Sequence, residues 1–101
     1  MPHILSFSTN KEILAIMDRL VGKHEASWTS HRAADLETAL AKLAELPIDV
    51  VLLGAGTDTA EREVLEAAIA KVAGTTKIVA HYGGGSGLLY AEIHQALAAT
   101  S

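Results

Sequence analysis

The chain has 101 residues, half of them apolar, with 12 acidic against 8 basic side chains and a net charge of -4. That length sets one domain over residues 1–101, the apolar share lets it pack a core unaided, and the acidic balance argues against nucleic acid as a partner. Without cysteine there is no thiolate nucleophile, disulfide or cysteine zinc site, and no apolar run approaches the roughly 20 residues of a membrane span.

His3 to Ser8 is the first strand signal. Thr9-Asn10-Lys11-Glu12 follows with the spacing of a capping box, which predicts a helix capped by Thr9. Its apolar positions Ile13, Leu14, Ile16, Met17, Leu20 and Val21 recur at three- and four-residue steps, and Gly22 supplies a stop. Glu25 to Thr29, around Trp28, reads as a short outer strand because it lacks a continuous apolar run. The second helix is predicted over Arg32 to Leu46, with Leu36, Ala39, Leu40, Leu43 and Leu46 on one stripe and Pro47 barring its continuation.

Ile48 to Leu53 is the third and most apolar strand, and it runs into Gly54-Ala55-Gly56. Asp58 to Glu61 has the spacing of a helix start, and Val64, Leu65, Ala68, Ile69 and Val72 are expected to face inward until Gly74. The charges of Asp58, Glu61, Arg62 and Glu63 read as a solvated first turn. Thr75 to Tyr82 is the fourth strand. Gly83-Gly84-Gly85-Ser86-Gly87 then leads into a last helix, with Ser86 as its expected cap and Leu88, Leu89, Ile93, Ala96 and Leu97 apolar. Alternation of strand and helix, with right-handed crossovers, predicts an α/β domain: a four-stranded parallel sheet in the order 2-1-3-4, with helices on both faces.

The stretch from His31 to Leu40, with its Ala39-Leu40 pair, followed by Pro47-Ile48-Asp49 and Val50-Val51-Leu52-Leu53, resembles the receiver domain of two-component response regulators. The likeness runs from about His3 to Tyr82, and a truncated flavodoxin-like domain has the same periodicity. The resemblance implies a phosphoacceptor aspartate where Gly54 stands and an acidic pair for Mg²⁺ where Ser6 to Asn10 stand. It also implies a switch Ser or Thr where His81 stands, and a lysine ending a fifth strand. This sequence departs from all four: Gly54 offers no nucleophile, Ser6-Phe7-Ser8-Thr9-Asn10 no carboxylate, His81 no hydroxyl, and no fifth strand is legible after Tyr82. What remains is a non-catalytic, receiver-like signalling or protein-interaction module, not phosphorylated and without a cofactor, whose partner is another protein or a second copy of itself. No basic segment followed by an apolar run opens the chain, so the cytoplasm is the expected location.

An alternative is a binder of a small anionic or phosphate-bearing ligand. Gly83, Gly84, Gly85, Ser86 and Gly87 lie between a strand and a helix N-terminus, where free N–H groups hold anions, and His81, Ser8, Thr9 and Gly54 share that edge of the sheet. The opposing reading of the loop is a plain connector, since it matches neither phosphate-binding glycine motif. His81 as an acid or base is a third reading. No two histidines share a helix at ligand spacing, so no metal site is expected. Ser6, Ser8 and Thr9 lack a G-x-S-x-G elbow and read as strand and cap residues. Trp28, the single tryptophan, reads as packing, with an anchor for a partner as the other option. A missing fifth strand leaves strand four as an edge, so Ile78 and Val79, with Leu88 and Tyr90 of the last helix, are the expected interface of a homodimer.

Overall fold

The structure is a computed structural model that describes residues 3–24, 28–54, 57–72, 76–80 and 86–99. Strands β1 (His3–Phe7), β2 (Thr29–Ala33), β3 (Val50–Leu53) and β4 (Lys77–Ala80) alternate with helices α1 (Lys11–His24), α2 (Leu36–Glu45), α3 (Thr59–Val72) and α4 (Ser86–Ala99). All strand pairs are parallel and the order is β2-β1-β3-β4, as the crossover rule predicts.

The two central strands are closed to water on both faces, so alternate residues feed two cores. Ile4, Val50 and Leu52 join Leu14, Met17 and Val21 of α1 and Leu89 and Ile93 of α4. Leu5, Phe7, Val51 and Leu53 join Ala39 and Leu43 of α2 and Leu65 and Ile69 of α3. This explains why β3 is an unbroken apolar run: it has no solvent face to leave polar. Each fully buried Leu, Ile or Phe contributes about 1.5–3 kcal/mol relative to exposure. Ser6, on the α1 and α4 face of β1, is the exception. Its buried hydroxyl has no hydrogen-bond partner among the described residues.

Several boundaries differ from the sequence expectation. The outer strand lies at Thr29–Ala33, not Glu25 to Thr29, and Trp28 precedes it. Pairing with β1 sets that position, with His3 opposite Thr29 and Phe7 opposite Ala33. Helix α2 accordingly starts at Leu36 rather than Arg32, and the Asp35 carboxylate caps it by accepting from the Thr38 N–H at 2.7 Å. Helix α1 is capped by Asn10, not Thr9: Asn10 Oδ1 accepts from the N–H groups of Glu12 and Ile13 at 3.0 and 3.2 Å. Nor does α1 stop at Gly22; it continues to His24. Ile16, on the apolar stripe of α1, and Val64, expected to face inward, are 48% and 42% exposed. The start of α3 fits its expectation, because Asp58 and Glu61 each accept the other's backbone N–H, at 2.8 and 3.1 Å. Ser86, the expected cap of α4, is already inside that helix.

Candidate functional site

The carboxyl edge of β1 and β3 is the place where an open parallel sheet puts its ligands, just outside the strand ends near the change of winding direction. Here that edge is built from Ser8 after β1, Gly54 after β3, and Met17 of α1. The Gly54 N–H donates to the Phe7 carbonyl at 2.9 Å and the Ser8 N–H to the Ala33 carbonyl at 3.3 Å, so both backbones are locked onto the sheet. The Thr57 hydroxyl donates to the Gly54 carbonyl at 2.9 Å.

A side chain at position 54 has to displace the flexible end of Met17. A Cβ built there would lie 2.8 Å from Met17 Cε, 2.9 Å from Met17 Sδ and 3.2 Å from Ser8 Cβ. Met17 is 2% exposed, so its thioether occupies the volume into which a residue at this strand end would project. The opposite wall is spent on helix capping: Ser8 Oγ accepts from the Asn10 N–H at 3.1 Å, and Asn10 caps α1. This edge offers packed methyls, a hydroxyl and capped amides, with no carboxylate from Ser8, Thr9, Asn10 or Gly54. Among the described residues no three His, Asp or Glu side chains gather to hold a metal ion.

The remaining sequence candidates fall in different places. Ser8 and Gly54 are brought together, and exposed Thr9 adjoins them. His81, Gly83, Gly84 and Gly85 lie outside the described residues, while Ser86 and Gly87 open α4, whose first turn carries no acidic residue. Ile78 and Val79 are half-buried on opposite faces of β4. Leu88 is placed on α4 by its backbone alone. The Tyr90 hydroxyl donates to the Leu20 carbonyl at 3.1 Å and so ties α4 to α1. Trp28 is buried at 7% exposure and packs at a tilt on His94, with ring centroids 5.0 Å apart.

Three features were not found by sequence reasoning. The Met17 plug is one; only its place on the α1 stripe was visible. Another is the groove of about 410 Å³ between β4 and α4, bounded by Lys77 to Ala80 with Glu92, Gln95 and Ala96. The third joins β1 to β2: His3 Nδ1 and His31 Nε2 are 3.0 Å apart with ring planes only 5° apart. The two imidazoles share one N–H···N hydrogen bond, so only one of the facing nitrogens carries the proton.

Burial first, then the neighbouring His3 and Lys42 of α2, hold the His31 pKa below its ordinary value, against a smaller opposing pull from Asp18 of α1. A depressed histidine favours the fold while it is neutral, and the unfolded chain takes up the proton first as pH falls. Stability is therefore expected to be level above about pH 7 and to decline below about pH 6.5, in a step that His31→Gln removes from a urea-denaturation series across pH. Asp35, its pKa lowered by the hydrogen bonds from Thr38, acts in a separate window, below about pH 4.

No protein-family model and no curated protein matches this chain. Solved structures do. It is similar to the signal receiver domain of an HD domain-containing protein from Pseudomonas fluorescens Pf-5, at 20% identity and a TM-score of 0.78, covering 98% of this chain and 88% of that one. The Vibrio cholerae chemotaxis protein CheY4 matches at 16% identity and a TM-score of 0.73, over 96% of this chain and 99% of its own. A chain of the complex between the phosphorylated P1 domain of CheA3 and CheY6 from R. sphaeroides matches at 18% identity and a TM-score of 0.66, covering 96% and 97%. At these identities what is shared is the fold: this chain has the architecture of signal receiver domains.

Proposed function

We propose that this protein is a receiver-like signalling module that is not phosphorylated and works in the cytoplasm by binding another protein or a second copy of itself. One observation carries the reading. At the strand end where the receiver resemblance expects a phosphoacceptor, Gly54 has no side chain and Met17 fills the space one would need. Loss of the acceptor alone would leave an open pocket; loss with infilling supports a site given over to packing. A signal receiver fold without that chemistry keeps its surfaces as the means of action. The similar structure that holds a CheY protein against the P1 domain of CheA3 supports protein as the class of partner.

Exposure to acetyl phosphate and Mg²⁺, read by intact mass beside a receiver that does become phosphorylated, is expected to leave this chain unmodified. A stable phosphoryl adduct on an aspartate would sink the proposal. The alternative of an anion at Gly83 to Gly87 falls on a loop whose residues 83–85 lie outside the described ones.

A further inference from the structure

Among the described residues β4 ends the sheet: Lys77 to Ala80 pair with β3 on one side, and the outward N–H and C=O groups have no strand to meet. Such an edge is a template for another strand. Two grooves flank it. On one face β4 and α4 border the open groove of about 410 Å³; on the other, Arg62, Glu66 and Ile69 of α3 border a smaller one of about 240 Å³ with Thr76 and Ile78. A strand laid along β4 sends alternate side chains into the two grooves, because successive residues point to opposite faces.

We infer that the occupant is β4 of a second copy, paired antiparallel about a two-fold axis normal to the sheet, so that two domains share one eight-stranded sheet. This rests on the proposed protein-binding function and names the surface and the partner. The case is the self-complementarity of the edge. Register with β3 puts Lys77 and Val79 on the α4 face and Ile78 on the α3 face. A two-fold axis normal to the sheet keeps faces together, so Ile78 of the second copy enters the groove floored by Ile69, and its Lys77 enters the groove beside Glu92 and Gln95.

Lys77 makes no ion pair among the described residues, and the symmetric arrangement brings each Lys77 beside Glu92 of the other copy, two such contacts in the dimer. The helices also fit. Paired strands lie about 4.8 Å apart, and with each α4 seated over β3 and β4 the two α4 helices come to the roughly 8–10 Å at which helices pack. The isologous contact closes at two copies. An interface of four-residue strands with one helix flank each is small, so dissociation in the micromolar range is expected.

Sedimentation across a concentration series is expected to show the mass rising from one chain to two. Lys77→Glu sets a new carboxylate against that of Glu92 and should weaken the dimer at least tenfold, and Lys77→Glu with Glu92→Lys should restore it. Both positions are outside the buried core, so circular dichroism should show folding unchanged. Pairing centred on Ile78 sets that residue opposite its own copy, and the chain contains no cysteine, so Ile78→Cys reports directly: oxidation is expected to give a disulfide-linked dimer. A single-chain mass at every concentration overturns the inference, as does a dimer indifferent to the charge swap and not cross-linked through position 78. A monomer that binds another protein removes this inference while leaving the proposed function standing; a phosphorylated dimer does the reverse.

Discussion

Gly54→Asp is expected to lower stability by about 2–4 kcal/mol and not to create a phosphorylatable site. The first cost is steric: the new Cβ falls 2.8 Å from Met17 Cε, so the buried end of that flexible side chain has to change rotamer and repack. The second is electrostatic. Gly54 is buried, and neither Ser8, Met17 nor the locked backbone around them supplies a cation, so the carboxyl is driven toward its neutral form. Urea denaturation measures the loss. Measured against Met17→Ala alone, Gly54→Asp is expected to cost only the desolvation part, because the thioether is already gone from both chains, so the two contributions separate. Unchanged stability of Gly54→Asp would mean that the space at the strand end is open after all.

The other large effect is expected at Trp28. Its indole is buried in the core formed by α1, α4 and the facing side of the sheet. Trp28→Ala should cost roughly 3–5 kcal/mol, as for other large aromatics removed from a core, and Trp28→Phe much less. Circular dichroism is the suitable signal, because Trp28 is the only tryptophan and the variant loses that fluorescence. A loss under about 1 kcal/mol would assign the indole to the surface and return it to consideration as an anchor for a partner.

What could be read in the sequence follows from where the determinants lie. The continuous apolar run of Val50 to Leu53 announces a strand buried on both faces, and alternation with helical stripes then fixes the sheet order through chirality. The reciprocal cap of Asp58 and Glu61 is local and therefore legible. Strand β2 is not: Thr29, Ser30, His31 and Arg32 carry little apolar pattern, and their strand register comes from hydrogen bonds to β1, far away in the chain. The choice of Asn10 over Thr9 as cap depends on where Ser8 is pinned. Periodicity alone places Ile16 and Val64 inward, because it marks a stripe without giving the width that the sheet covers. At the candidate site the missing carboxylates are plain from residue identity. That Met17 reaches across from α1 to fill the space is not, since the contact joins residues brought together only by the fold.

The contact between Met17 and Gly54 also constrains which substitutions are accessible to descendants of this chain. An acidic residue placed at 54 meets the thioether first, and trimming Met17 first opens a void beneath the strand end. Either order passes through a less stable intermediate, and Ser6 to Asn10 still contain no carboxylate. The substitutions this contact tolerates are therefore small residues at 54 paired with flexible apolar ones at 17.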